Sequence, residues 1–201
     1  MFSAIYFFAA GFAVWSKYYK FALYKFAKPV PLFLLSTIYL FTPNFSPAFE
    51  TFLALSFVGD LLLLGESRKF FAAGLISFLG AHLALIFGLL ARQEGNFSAF
   101  AALVIAIVSF SYYAIALKNN AGEMKLPVVV YLAVISVMLF VASAFANVAP
   151  AVFSGAILFY VSDALLAYGK FVRKFRIIDL LSLSAYYTGE YLIFSGFVSL
   201  N

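Results

Sequence analysis

Between Phe57 and His82 the chain reads FVGDLLLLGESRKFFAAGLISFLGAH, two apolar runs joined by a short turn that holds Arg68 and Lys69. Asp60 lies inside the first run, and His82, the only histidine of the protein, lies inside the second. Apolar runs of this kind are spans of a lipid bilayer, where the backbone must satisfy its own hydrogen bonds and so coils into helices. A carboxylate in the middle of such a helix is disfavoured by roughly 2.5–3.5 kcal/mol on the lenient insertion scale. Asp60 and His82 therefore imply a partner or a function. The pattern returns as YVSDALLAYG over 160–169, with Asp163 in the place of Asp60.

The rest of the chain agrees with a membrane setting. Of the 201 residues 66% are apolar and 10% charged, and the mean hydropathy is +1.06. Ordinary soluble domains are about a quarter charged. The alternation of a transmembrane barrel is absent. The fold class expected is all-α, a polytopic membrane helix bundle. Eight transmembrane helices are predicted near 2–16, 28–42, 48–65, 70–91, 97–117, 126–146, 150–168 and 177–199, with breaks at Pro43 and Pro47 and at Asn147 to Pro150. The first apolar run has its basic residues after it, so it reads as an uncleaved helix and not as a signal peptide.

The basic residues orient the bundle. Lys17, Lys20, Lys25 and Lys28 fall between the first two predicted helices, and Arg68 and Lys69 between the third and fourth. Lys118 and Lys125 flank the next turn on the same side, and Lys170, Arg173, Lys174 and Arg176 fill the last. Arg92 alone is on the opposite side. By the positive-inside rule the basic loops face the cytoplasm and both termini lie outside, in the inner membrane if the source is prokaryotic. The net charge of +5 is thus a topology signal that also meets anionic membrane lipids, and no nucleic-acid partner is expected.

An internal repeat divides the single domain, 1–201, into halves of about 1–95 and 97–201. Lys28-Pro29-Val30 recurs loosely as Lys125-Leu126-Pro127-Val128, and Phe57-Val58-Gly59-Asp60 as Tyr160-Val161-Ser162-Asp163. Four helices per half is an even number, so the two four-helix half-repeats are parallel and not inverted.

At a rise of about 1.5 Å per residue, Asp60 and Asp163 each lie ~8 Å from the cytoplasmic helix ends and His82 ~18 Å deep. On the last helix Asp179, Ser182, Tyr186 and Glu190 share one face, with Tyr187 beside it. These residues predict a polar pocket open to the cytoplasmic leaflet, lined by Asp60, Asp163 and Glu190 with His82, Tyr186 and Lys28 as hydrogen-bonding company. Each has a plainer alternative. Asp60 or Asp163 can be a packing ion pair with Lys28 or another base, His82 an interhelical hydrogen-bonder, Glu190 a salt-bridge partner, and Asp179 an interfacial residue beside Arg176. One histidine, scattered acids and no cysteine make no metal-ligand set, so neither metal nor cofactor is expected. There is no Gly-rich phosphate loop and no Gly-x-Ser-x-Gly elbow.

In order and spacing, several short motifs together resemble the YhhN-like membrane family, whose characterised members are lysoplasmalogenases. They are Lys28-Pro29, Gly59-Asp60 with its leucines, Phe71 to Gly74-Leu75, Phe78 and His82, then Gly155-Ala156, Phe159, Ser162-Asp163, Leu165-Leu166-Ala167, Tyr186-Tyr187 and Leu192-Ile193. Glu190 departs from the family pattern, which tends to have glutamine after the tyrosines. The resemblance implies hydrolysis of the vinyl-ether bond of a lysoplasmalogen, a lysophospholipid drawn from the bilayer. The products are a fatty aldehyde and glycerophosphocholine or glycerophosphoethanolamine. Asp60 and Asp163 would be the acid/base pair, with Lys28, His82, Tyr186, Tyr187 and Glu190 supporting the substrate. Two rivals use the same residues: a proton-coupled transporter or lipid translocator, and a scaffold whose acids only lock helices.

Overall fold

The computed structural model describes residues 2–43, 45–92 and 95–200, and among them every regular element is a helix. In chain order these are α1 (Phe2–Tyr18), the single turn α2 (Tyr24–Ala27), α3 (Val30–Tyr39), α4 (Pro47–Leu62), α5 (Arg68–Leu90), α6 (Ala99–Tyr112), α7 (Lys125–Ser143), α8 (Pro150–Phe171) and α9 (Arg176–Ser199). The breaks fall where sequence puts them. Pro47 and Pro150 each occupy the first turn of a helix, where the missing N–H costs nothing. Ser46 caps α4 by accepting from the Phe49 N–H.

Two elements differ from the prediction. The second helical path starts earlier than residue 28, because α2 leads through Lys28 and Pro29, both in the right-handed helical region, into α3. Pro29 and Pro31 lack an N–H, so the hydrogen-bond ladder is interrupted while the path continues. Lys28, placed by sequence where the first basic loop meets the second helix, sits on helical backbone and is buried. The second difference is at the end of α6, which widens into a π-helical turn over Tyr113–Leu117, closed by the Lys118 N–H on the Tyr113 carbonyl at 2.8 Å.

Among the described residues four helical stretches are long and apolar enough to cross a membrane: Arg68–Leu90, Ala99–Leu117, Gly122–Ser143 and Pro150–Phe171. The burial pattern of α6 states the solvent directly. Phe100, Leu103, Ile107 and Phe110 face outward, and the one buried side chain of α6 is Ser109, bonded to Ser136 and Tyr160 at 2.8 and 2.7 Å. A helix with its hydroxyl inside and its phenylalanines outside is stable in hydrocarbon and not in water. The protein is an integral membrane protein.

The chain divides into two compact units, one ending at Gly88 and the other Leu89–Leu200. In the first, Tyr6, Leu32, Leu35, Phe49, Phe52 and Leu53 are fully enclosed. Tyr39 stands edge-on to Phe49 with ring centres 4.8 Å apart, and its hydroxyl accepts from the Ser46 N–H at 2.8 Å. Ser77 of α5 donates to the Leu55 carbonyl of α4 at 2.7 Å.

In the second unit α8 and α9 meet along two rows of small residues at seven-residue spacing, Gly155 and Ser162 against Ser182, Gly189 and Gly196. The two serines exchange hydrogen bonds, each hydroxyl donating to the other's carbonyl at 2.9 and 3.0 Å. A methyl group at Gly155 would lie 2.6 Å from the Gly189 carbonyl oxygen and 2.7 Å from the Ile193 nitrogen. One at Gly196 would lie 2.7 Å from the Val152 nitrogen. In lipid, helix association rests on such close backbone approach. Gly155→Ala must push the helices apart, and a loss of about 1–3 kcal/mol is expected, read as a lower thermal midpoint in detergent. Gly11, which faces open space, is the control, and Gly11→Ala should leave the midpoint unchanged.

Candidate active site

The first unit supplies Lys28, Asp60 and His82. Along α4 the buried residues Phe49, Leu53, Ser56 and Asp60 follow one another at intervals of four, three and four, so Asp60 continues the core-facing stripe of its helix. It is 1% exposed, and Lys28, at 5%, reaches it from the helical path between α2 and α3. The Lys28 ammonium lies 3.1 Å from Asp60 Oδ1 and donates to the Asp60 carbonyl oxygen, also at 3.1 Å. Gly59 makes room beside it, since a methyl there would lie 2.6 Å from the Phe78 ring. His82 is fully buried on α5. The ion pair named as the plainer alternative for Asp60 is therefore present. Lys28 works as a counter-charge and not as a loop cation.

The second unit supplies Asp163, Tyr186, Tyr187 and Glu190. Asp163 is half-buried at the edge of the buried stripe of α8, and its Oδ2 accepts a hydrogen bond from the hydroxyl of Tyr131 on α7. One residue further on, the Ala164 carbonyl accepts from Tyr112 at 2.5 Å, where α6 turns into its π-helical end. Such turns recur at functional sites. A second polar chain runs from Tyr160 through Ser109 to Ser136, which donates to the Leu132 carbonyl at 2.6 Å. On α9 the predicted inward face is real. Ser182, Tyr186, Tyr187 and Glu190 are buried, while Asp179 is half-buried near the helix start. The Tyr186 ring meets Phe159 edge-on at 5.4 Å and Tyr187 at 5.1 Å.

Tyr131 is the residue that sequence reasoning missed. Its signal is a spacing: Lys28 precedes Asp60 by 32 residues, and Tyr131 precedes Asp163 by 32. The matching of Lys28-Pro29 to Lys125-Leu126-Pro127 is a few residues out of this register. It pairs Lys28 with Lys125, an exposed residue at the start of α7. The two aspartates thus receive chemically different partners, an ammonium in one unit and a phenol in the other.

A sequence model of the YhhN family matches residues 23–197. The chain belongs to the YhhN family. The match runs from α2 into the last turn of α9 and leaves α1 outside it. Lysoplasmalogenase TMEM86B of Mus musculus is 32% identical over 143 residues, which are 70% of this chain and 59% of the mouse protein. The protein of the same name from Rattus norvegicus is 32% identical over 143 residues, 57% of its own length. The chain thus spans less than three-fifths of the length of these relatives. No solved structure matches it. All the residues described above, Lys28, Asp60, His82, Tyr131, Asp163, Tyr186, Tyr187 and Glu190, fall inside the YhhN region.

Proposed function

We propose that this YhhN protein is a membrane hydrolase that cleaves the vinyl-ether bond of lysoplasmalogens, with Asp60 and Asp163 as its acid/base pair. The observation that carries the reading is the pair of aspartate carboxyls, each with a polar partner 32 residues upstream, in a chain whose relatives are named lysoplasmalogenases. Vinyl-ether hydrolysis suits two carboxyl groups. A carboxylic acid delivers a proton to the β-carbon of the O–CH=CH unit, and the positive charge that forms is shared between the α-carbon and the ether oxygen. A carboxylate stabilises this oxocarbenium ion, and water adds to the α-carbon. The hemiacetal then releases the glycerol hydroxyl as leaving group and the aldehyde as product.

The supporting roles follow from chemistry. Lys28 keeps a carboxylate charged in an apolar interior. His82, Tyr186, Tyr187 and Glu190 line the substrate path, and the alkyl tail of the lysophospholipid enters sideways from the bilayer. No cofactor is required, and activity is expected to survive strong chelators.

The layout that goes with this reading has eight spans in two parallel half-repeats, 1–95 and 97–201, with both termini outside. Because the chain contains no cysteine, single cysteines report cleanly on it. Cysteines replacing Ser67, Asn119 and Val172 are expected to react only from the cytoplasmic side, and one replacing Asn96 only from outside. Labelling of the Ser67 and Asn96 positions from the same side would sink the layout.

The test of function is to incubate the purified protein in detergent with a panel of ester-linked and vinyl-ether-linked lysophospholipids, assaying aldehyde and fatty acid separately. Aldehyde from the vinyl-ether substrates alone is the result expected. No aldehyde, together with turnover in vesicles that tracks membrane potential, would place the same acids in a proton-coupled transporter.

A further inference from the structure

We propose that the turn closing α1 is a headgroup-binding site for anionic phospholipid. Lys20 meets the lipid phosphate there, and Trp15, Tyr19 and Phe21 hold the turn at the level of the headgroups. The proposal is independent of the hydrolase reading, since α1 and residues 19–22 lie outside the region matched to the YhhN family.

The backbone is its first basis. The Phe21 N–H donates to the Ser16 carbonyl at 2.9 Å, and the Lys20 N–H to the Lys17 carbonyl at 3.2 Å. These nested bonds are the Schellman closure of a helix, which needs a left-handed residue at the position of Lys20. Lys20 has φ 58°, and among the described residues no other residue except a glycine has a positive φ. Glycine and asparagine adopt that conformation at lower cost, because a larger side chain crowds the following carbonyl. A lysine held there against its backbone preference points to a role for its side chain. A charge needed only to orient the chain would serve at any position of the loop.

The side chains are the second basis. The closure folds Phe21 back onto Trp15, with ring centres 4.9 Å apart, and Tyr19 lies 5.4 Å from the same indole. All three rings are exposed. An exposed aromatic cluster of this kind suits the zone where hydrocarbon meets headgroups, because the indole N–H and the phenol hydroxyl find polar groups while the rings stay in apolar surroundings. The chain then continues with Leu23 and Phe26 exposed on either side of an exposed Lys25.

Charge decides which lipid fits. Before Glu50 the chain holds Lys17, Lys20, Lys25 and Lys28 and neither aspartate nor glutamate. Lys28 faces Asp60, whereas Lys17, Lys20 and Lys25 lie at or just after the end of α1. A zwitterionic lipid brings its own cation next to its phosphate, and an anionic one does not. Each lysine at an anionic surface favours it roughly 5-fold.

Trp15 is the only tryptophan of the protein, so its fluorescence reads this site alone. The full chain is placed in nanodiscs of mixed phosphatidylcholine and phosphatidylglycerol, with bromine on the acyl chains of one lipid or the other. Quenching of Trp15 then gives the relative affinity of the two lipids beside it. The wild type is expected to favour phosphatidylglycerol several-fold, a preference lost at salt on the order of 1 M. Lys20→Gly and Lys20→Asn keep the left-handed turn without the charge. Both are expected to lower the preference about 5-fold while the thermal midpoint stays level or rises. Lys20→Arg is expected to retain the preference. A lysine that served only the fold would move binding and stability in the same direction, or move neither. Equal quenching by the two brominated lipids in the wild type would leave an aromatic anchor indifferent to headgroup charge, and it overturns the proposal. So does a preference for phosphatidylglycerol that Lys20→Gly and Lys20→Asn retain, or one that Lys20→Arg loses.

Discussion

Asp60→Asn and Asp163→Asn are each expected to remove aldehyde release, by on the order of 10²–10⁴-fold in kcat, and the double variant to be scarcely slower than either single one. Asparagine keeps the size of aspartate and most of its hydrogen bonding but carries no proton to the substrate and no charge to a cation. Losing the acid leaves the vinyl ether unprotonated; losing the carboxylate leaves the oxocarbenium ion without its counter-charge. Either loss stops the same sequence of steps, which is why the effects do not add. His82→Gln is expected to cost less than either, because the ~18 Å depth that helix rise implies for it suits orienting a substrate or a water. Aldehyde assays on detergent-purified protein, corrected for folded fraction, measure all four variants. Near-normal turnover by either single aspartate variant would return both groups to a purely structural role.

The second large effect is on stability, and it separates the two aspartates. Lys28→Met leaves the Asp60 carboxylate in an apolar interior without its ammonium, and Asp60→Asn leaves the ammonium without its carboxylate. Breaking a buried pair from one side costs about 3–5 kcal/mol, because the surviving charge stays buried and loses that counter-charge. Lys28→Met/Asp60→Asn removes both charges and is expected to recover most of that loss, a coupling that a thermal-unfolding cycle in detergent reads directly. Asp163→Asn alters the hydrogen bond from the neutral Tyr131 hydroxyl, a contact worth about 1–2 kcal/mol. Equal destabilisation at the two aspartates, or a double variant as weak as the two singles combined, would mean that the 3.1 Å contact holds little of the first unit together.

From sequence alone, neutralising an aspartate leaves the fold intact unless the charge is paired. Whether it is paired is a tertiary fact. Asp60 and Asp163 look alike in sequence, each after a small residue and before an apolar run, and only the structure shows that one meets an ammonium and the other a phenol.

What sequence by itself determined is what depends on local physics. The length of the apolar runs decided that the chain is helical and lives in lipid, and Pro43, Pro47 and Pro150 decided where the helices stop. The 3.6-residue period put Ser182, Tyr186 and Glu190 on one inward face of α9, and their burial agrees. What only the tertiary structure decided is what depends on which helix faces which. Pro29 and Pro31 interrupt hydrogen bonds without ending the helical path, and that path sets Lys28 against Asp60, one of the alternatives that sequence left open. The glycines of α8 and α9 are unremarkable in a membrane helix until Gly155 and Gly189 are seen to face each other at backbone distance. Ser109 sits in a run of alanines, isoleucines and valines that gives no hint that α6 turns that one hydroxyl inward. Tyr131 is one of thirteen tyrosines. Its hydroxyl reaches Asp163 only because α7 packs beside α8, and contacts between helices have no period that a single sequence can display.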